Sequence, residues 1–173
     1  MSDSNRMKHY NAPWSRTLTL ASVLFTIVLL SITLAGWRGI VSLQLSTTEF
    51  WLSILPLSIV VGAALFMVRG YSITNDGILI HRLFWDTKLS RQGLQSAAME
   101  PGALRGTLRT FGNSGLFGFT GWYQSSRLGS FRAFATDGSR TVVLRYAEKT
   151  IVITPDQPDL FVQELSANRE TAE

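Results

Sequence analysis

Few side chains in this 173-residue sequence could carry out catalysis or hold a metal. There is no cysteine, and the only histidines are His9 and His81, which excludes thiolate zinc sites, thiol catalysis and a histidine-rich metal centre. The GNSG run that begins at Gly112 lacks the spacing of a nucleophile elbow, and no Gly-Lys-Ser or Gly-Lys-Thr sequence forms a phosphate loop. Isolated carboxylates such as Asp86 and Glu100 are typical of turns and surfaces. We therefore expect no enzyme, no cofactor and no metal site.

The most unusual segment is FGNSGLFGFTGWY, residues 111–123. Its glycines recur at every third position from Gly112 to Gly121, which costs backbone entropy. Either they form a close-packed bend where a Cβ atom would not fit, or they form a mobile loop that presents large apolar side chains to the inner leaflet or to a partner protein. In the second case the flanking arginines lie at headgroup level. The candidate membrane or partner contacts are Arg105, Arg109, Leu116, Phe117, Phe119, Trp122, Tyr123, Arg127 and Arg132.

Two uncharged stretches precede this region. Residues 17–37 and 50–68 are 21 and 19 residues long, and about 20 helical residues cross a hydrocarbon core of roughly 30 Å. One large buried hairpin is the alternative, and a cleaved signal peptide would need a shorter apolar run than the first stretch. We therefore expect a tail at 1–16, a first transmembrane helix at 17–37, a short external loop at 38–49 and a second transmembrane helix at 50–68.

Basic residues near the two spans predict their orientation. Three lie in the N-terminal tail and only one, Arg38, in the connecting loop, and four more lie within residues 69–91 after the second span. Positively charged flanks remain on the cytoplasmic side, so we expect a multi-pass protein of the inner membrane with both termini in the cytoplasm. Ser58 and Gly62 are four residues apart, a spacing that permits close helix approach, either within the hairpin or with another transmembrane helix.

The remaining chain predicts a cytoplasmic β-rich domain at 69–167. Asn75-Asp76-Gly77 is a tight-hairpin signal between two apolar runs. Similar punctuation predicts seven short antiparallel strands if the glycine-rich segment contributes one. Phe161 and Leu165 then share one face of a closing helix at about 157–167, which leaves a frayed tail at 168–173.

Charge is unevenly distributed in this domain. Residues 69–149 contain 11 basic and 5 acidic residues, a net of +6, whereas residues 150–173 contain 1 basic and 5 acidic residues, a net of −4. Basic residues close to an anionic leaflet gain about 1 kcal/mol each. Contact with anionic lipid is therefore one expectation for the basic part, and a solvated surface is the other. Nucleic-acid binding is not expected, since no recognition helix is present.

These residues resemble bacterial pleckstrin-homology-like domains attached to membrane hairpins. The resemblance is carried by YSITNDGILI directly after a span, FGNSGLFGFTGWY, FRAFATDGSRTVVL and IVITPDQPDLFVQEL. It implies a bent, seven-stranded antiparallel sandwich or partial barrel closed by one C-terminal helix, with no catalytic residues. Eukaryotic members that bind phosphoinositides carry basic residues around the first hairpin loop, whereas Asn75-Asp76-Gly77 is tight and acidic, so phosphoinositide binding is not implied.

The function expected from these features is a non-catalytic binding or scaffolding module at the cytoplasmic face of the membrane. Its partners are the lipid bilayer and another membrane or cytoplasmic protein. The alternative is a structural subunit that assembles with other proteins through its transmembrane hairpin.

Overall fold

Two long helices lie between the first and second strands of a β-rich domain. The computed structural model describes residues 7–41 and 47–170, so residues 1–6, 42–46 and 171–173 of the predicted tails and loop lie outside the described residues. The helices are α1 (Arg16–Val41), α2 (Thr47–Leu65) and α3 (Pro158–Glu170). The strands are β1 (Lys8–Asn11), β2 (Val68–Thr74), β3 (Gly77–Arg82), β4 (Asp86–Ser90), β5 (Leu94–Met99), β6 (Leu108–Ser114), β7 (Phe119–Ser125), β8 (Gly129–Ala135), β9 (Val142–Tyr146) and β10 (Thr150–Ile153).

The strands form two sheets. The first has the order β1-β2-β3-β4, and the second has the order β5-β9-β10-β8-β7-β6. The prediction of seven antiparallel strands is therefore wrong in two respects. The described residues contain ten strands, since 87–100 and the glycine-rich segment each hold parts of two and the N-terminal tail holds one. In addition, β10 pairs in parallel with β8, because β9 and β10 form a hairpin that returns β10 to the side of β8.

The two sheets share one apolar core. Tyr71 and Ile80 of the first sheet pack in the same cluster as Phe134 and Leu144 of the second, and all four are fully buried. The hydroxyl of Tyr71 donates a hydrogen bond of 2.6 Å to the carbonyl of Phe134 and so links the sheets directly. Burial raises the pKa of this hydroxyl to about 12, which keeps it protonated as a donor. The predicted sandwich is thus present.

The second sheet is apolar on both faces. Ile151 and Ile153 of β10 face the shared core, whereas Val152 between them packs in a separate cluster on the outer face with Phe131 and Tyr123. Successive side chains of a strand point to opposite faces, so a sheet covered on both sides needs a continuous apolar run. That requirement accounts for TIVI in β10 and VVL in β9.

Helix α3 closes the shared core as predicted. Phe161 and Leu165 are buried to 0% and 3% exposure, and the ring of Phe161 contacts that of Tyr10 edge to face at 5.0 Å between centroids. Asp159 lies in the first turn, where a carboxylate interacts favourably with the helix dipole. The helix continues to Glu170, so residues 168–170 are helical rather than part of a frayed tail.

The N-terminal segment is part of the domain. Strand β1 pairs antiparallel with β2, with Tyr10 opposite Tyr71, and Tyr10 is buried in the shared core. Beyond the strand, the carbonyl of Pro13 accepts a hydrogen bond from Thr136, and the amide of Ser15 donates to the carbonyl of Thr136. The expected tail at 1–16 is therefore an edge strand and a docked connection over its described residues.

The two N-terminal helices pack against each other and differ in length. Arg16–Trp37 of α1 is long and apolar enough to cross a membrane, whereas the apolar part of α2, Phe50–Leu65, is shorter. The predicted second span to residue 68 ends early because Val68 already pairs in β2. The helices approach closely at Gly36, where a Cβ atom would lie 2.5 Å from the Cβ of Ser53.

Candidate functional site

A cavity of about 450 Å³ lies between the end of α2 and the second sheet. Ile59 and Gly62 of α2 line one side together with Phe66, which directly follows the helix, and Phe111 and Trp122 of the β6–β7 hairpin line another. Two arginines complete the lining, one from each sheet, Arg82 and Arg132. The site therefore combines an apolar wall next to the helical hairpin with two cationic groups.

Arg82 is the buried cation of this cavity, with only 6% of its surface exposed. Its Nε donates to Thr87 at 3.1 Å, and its Nη1 donates to the carbonyl of Phe66 at 3.2 Å. The guanidinium also lies 5.1 Å from the ring centroid of Phe134 and near the rings of Phe66 and Trp85. Neutral acceptors and aromatic faces hold this side chain in place while leaving its positive charge uncompensated.

Arg132 is the second cation, and it lies on β8, two residues before Phe134. Its guanidinium is 4.7 Å from the ring centroid of Phe134 and 5.9 Å from that of Trp122. Among the described residues, no carboxylate forms an ion pair with Arg82 or Arg132. Burial lowers the pKa of Arg82, and the charge of Arg132 lowers it further. Two like charges close together at a cavity create a site that favours an anion.

The floor of the cavity is made by a close glycine pair. Gly112 of β6 lies opposite Gly121 of β7, and both have positive φ, at 113° and 144°. A Cβ atom on Gly112 would lie 2.4 Å from the carbonyl oxygen of Thr120, and one on Gly121 would lie 2.2 Å from that of Phe111. The prediction that glycine is needed for close packing is confirmed at these two positions. The glycine-rich segment is a paired hairpin whose turn is 115–118.

The turn of this hairpin docks on α1. Ser22 is 1% exposed, and its hydroxyl donates to the carbonyl of Gly115 at 3.3 Å and accepts from the amide of Phe117 at 2.9 Å. Phe117 has a φ of 62°, which is uncommon for a residue other than glycine. Its ring also lies 6.0 Å from that of Trp14. Contacts with Ser22 therefore hold the turn against α1, six residues after that helix begins at Arg16.

The nine predicted contact residues separate into four places. Arg132 and Trp122 both line the cavity that contains Arg82, which we call the arginine cavity. Arg105, Arg109, Phe119 and Tyr123 line a second cavity, of about 430 Å³, beside Ser15 and Thr17 at the start of α1. Leu116 and Phe117 lie in the turn and are half-buried. Arg127 is ion-paired with Glu100 at 2.9 Å.

One of the nine is a core residue. Tyr123 is only 3% exposed, its ring stacks on that of Phe131 at 5.8 Å, and its hydroxyl donates to the carbonyl of Asn113. The structure corrects the prediction that Tyr123 is a surface contact. Successive side chains of β7 point to opposite faces, so Tyr123 enters the outer cluster whereas Trp122 is 43% exposed. Phe119 is partly buried against the same cluster.

Arg82 was missed from the sequence. It lies two residues after the apolar run ILI in β3, and an arginine within a core strand was the one available signal, since such a residue is seldom buried without a partner. Its proximity to Arg132 depends on the packing of two sheets and is not visible in any local spacing.

A chain of polar side chains crosses the first sheet. Ser72 Oγ lies 3.2 Å from His9 Nδ1 and 2.7 Å from His81 Nε2, and His81 Nδ1 lies 2.8 Å from Asp86 Oδ1. The serine, histidine and aspartate follow the order of a hydrolytic triad. However, Ser72 is buried, at 4% exposure. It does not line the adjoining cavity, whose lining includes His9, His81 and Asp86. The cluster joins all four strands of the sheet, which is the role the geometry supports.

The fold and the helical hairpin together define a class: a β-sandwich domain closed by one C-terminal helix and joined to an N-terminal apolar helix. The sequence model of the family described as Bacterial PH domain matches residues 69–168, and the chain belongs to that family. The resemblance drawn from the sequence is confirmed. No curated protein and no solved structure shows a significant match to the chain.

Proposed function

We propose that this bacterial PH domain protein is a membrane-anchored, non-catalytic binding or scaffolding module at the cytoplasmic face of the inner membrane. In this proposal α1 and α2 cross the membrane as a hairpin, and both ends of the chain lie on the same side as the domain. The observation that carries the proposal is the pairing of β1 with β2 across the two helices.

This pairing restricts the possible topologies. Strand β1 ends at Asn11 before α1, and β2 begins at Val68 after α2. Because the two strands are hydrogen-bonded, the chain must leave the domain and return to the same side. If α1 crosses a membrane, α2 must cross back. The shorter apolar length of α2 is then accommodated by local thinning of the bilayer, at a modest cost.

The surface of the hairpin supports a lipid environment. Large apolar side chains are exposed along both helices, a composition that is costly in water and expected in a bilayer. Trp37 and Trp51 are 60% and 64% exposed near the far ends of the helices, where indole rings prefer the membrane interface. The exposed apolar side chains of α1 and α2 include Leu20, Leu24, Phe25, Ile27, Ile32, Leu34, Leu52, Leu55 and Ile59.

A binding role is supported by an open edge of the second sheet. Strand β6 is the last strand of that sheet, and its Leu108 and Phe111 are each 76% exposed. An edge strand can pair with an extended peptide, with neighbouring apolar groups adding specificity. The proposal thus includes recruitment of a protein partner at β6.

Single-cysteine labelling tests the topology, because the natural chain has no cysteine. Thr48→Cys lies at the start of α2 and Ser166→Cys lies on an exposed part of α3. In intact cells, a membrane-impermeant maleimide should label Thr48→Cys and leave Ser166→Cys unlabelled until the membrane is opened. Labelling of both sites, or of Ser166→Cys alone, in intact cells would contradict the proposed topology.

Crosslinking in native membranes separates the two candidate roles. A photoreactive group at Leu108 should capture a protein if the domain is the binding module. Capture through a group at Leu34, with none at Leu108, would favour the alternative of a structural subunit assembled through the hairpin.

A further inference from the structure

We propose that the cavity between Arg82 and Arg132 binds the phosphate of an anionic phospholipid, with the lipid's acyl chains lying along the end of α2. This inference rests on the proposed membrane anchoring and names a ligand for the domain. It concerns a site away from the first hairpin loop, Asn75-Asp76-Gly77, and it uses arginines from two different sheets.

The charge of the cavity is the first argument. The Arg82 guanidinium is buried and held by neutral acceptors, and Arg132 lies over the same Phe134 ring. Within 7–41 and 47–170, neither Arg82 nor Arg132 forms an ion pair with a carboxylate, whereas Arg127, Arg140 and Arg145 each do. A phosphate accepts several charge-assisted hydrogen bonds and removes the repulsion between the two guanidiniums.

The apolar lining is the second argument, and it favours a lipid over free phosphate. Ile59 of α2 and Phe66, which directly follows that helix, are 47% and 49% exposed, and Phe111 and Trp122 of the β6–β7 hairpin line the same cavity. A free phosphate gains nothing from these groups, whereas a phospholipid uses them for its glycerol and proximal acyl carbons. The cavity is also large enough, at about 450 Å³, for more than a phosphate alone.

The position of the cavity is the third argument. Its α2 residues belong to the last two turns before the chain enters β2, so a hairpin that crosses the membrane places the cavity at headgroup level. Trp122 stacks near Arg132 with its indole partly exposed, the amphipathic arrangement favoured at a membrane interface.

Gly62 provides a way to block the cavity without changing its charge. It lies on α2, it lines the cavity, and a Cβ atom there would have no heavy atom within 4 Å. A leucine at this position is compatible with the helix and extends into the open space. Gly62→Leu should therefore exclude the lipid while the protein remains folded.

The test measures lipid binding by the purified full-length protein with native mass spectrometry. The probes are phosphatidylglycerol, phosphatidylcholine and inorganic phosphate. Phosphatidylglycerol should bind at least about tenfold more tightly than phosphatidylcholine, and Arg132→Gln and Gly62→Leu should each remove about tenfold of that affinity. Arg82→Gln should do the same if it folds. Lys149→Gln, which removes an exposed charge outside this cavity, is the matched control.

Other outcomes overturn the inference in distinguishable ways. An equal loss with Lys149→Gln and Arg132→Gln means that diffuse charge alone attracts the lipid. Equal binding of inorganic phosphate and phosphatidylglycerol, with no effect of Gly62→Leu, means an anion site without lipid. If both lipids bind equally and the protein resists alkaline extraction from membranes, the proposed lipid site is wrong and the proposed anchoring stands. Release by alkaline extraction removes the anchoring and this inference with it.

Discussion

The hydroxyl of Tyr10 donates a hydrogen bond of 2.5 Å to Glu164, and so ties the strand that precedes both long helices to the helix that ends the domain. Lys8 forms an ion pair with the same carboxylate oxygen at 2.9 Å. Burial and the adjacent carboxylate both raise the pKa of Tyr10, so its hydroxyl is protonated and acts as a donor at neutral pH. Strand β1 is thus held both by its backbone pairing and by α3.

Removing this hydroxyl should weaken the domain. Tyr10→Phe deletes the hydrogen bond but keeps the ring against Phe161, and we expect the free energy of unfolding to fall by about 1–2 kcal/mol. Urea denaturation of the detergent-solubilised protein measures the change. Tyr146→Phe is the matched control, because the buried Tyr146 hydroxyl has no hydrogen-bond partner among the described residues. A loss as large for Tyr146→Phe as for Tyr10→Phe would contradict this assignment.

The carboxylate of Glu164 should make stability depend on pH. Burial raises the pKa of Glu164, but hydrogen bonds from Tyr10 and Lys8 and the charge of Lys8 outweigh it, and the folded-state pKa lies below the ordinary value of 4.5. The folded state therefore binds fewer protons than the unfolded state in this range. The stabilisation is complete above pH 4.5 and is lost as the pH falls from there through the lower folded-state pKa.

Glu164→Gln isolates this contribution. The difference in unfolding free energy between the natural protein and Glu164→Gln should be constant near neutral pH and should shrink in acid. Denaturation curves at pH 7, 5, 4 and 3 provide the comparison. A difference that grows as the pH falls would reverse the sign and refute the explanation.

The glycine pair below the arginine cavity should tolerate no side chain. Gly112→Ala places a methyl group 2.4 Å from the Thr120 carbonyl oxygen at a φ of 113°, and we expect a loss of about 2–4 kcal/mol. Gly129→Ala is the control, since Gly129 also has positive φ but open space around it, and its cost should be about 1 kcal/mol. Thermal melts of both variants would decide, and equal melting temperatures would mean that the close approach is relieved by a backbone shift.

Helix α3 should be indispensable to the core. Phe161→Ala removes a fully buried ring and should cost about 3–5 kcal/mol. Its neighbour Leu160 is 46% exposed, and Leu160→Ala should change stability by less than about 1 kcal/mol. The midpoints of urea unfolding test both expectations. Similar midpoints for the two variants would show that α3 does not close the core.

Local patterns were enough to predict part of this fold. The closing helix follows from the four-residue spacing of Phe161 and Leu165, and the hairpin at Asn75-Asp76-Gly77 follows from the backbone freedom of Gly77, where a Cβ atom would collide with the backbone of Leu89. Each of these signals depends on residues close together in the chain. Such local signals predict individual helices and turns, but they do not predict which distant strands pair with one another.

The features that were missed depend on distant partners. Strand β1 has only four residues, KHYN, and its partner begins after two helices, so no periodicity marks it as a strand. The close contact of α1 with α2 lies at Gly36 rather than at Gly62, and nothing in either helix alone distinguishes the two glycines. The pairing of Arg82 with Arg132 likewise exists only once the two sheets have packed.

The position of β1 has a consequence for biosynthesis. A ribosome adds about 5–20 residues per second, so β1 emerges on the order of several seconds before the first residue of its partner β2. In the proposed topology, α1 and α2 are delivered to the bilayer during that interval, before Tyr10 has its partners in the core. The last stage of domain folding then follows membrane insertion. In the same topology, a chain whose hairpin fails to insert leaves β2 with an unpaired edge, which is a template for pairing with another chain.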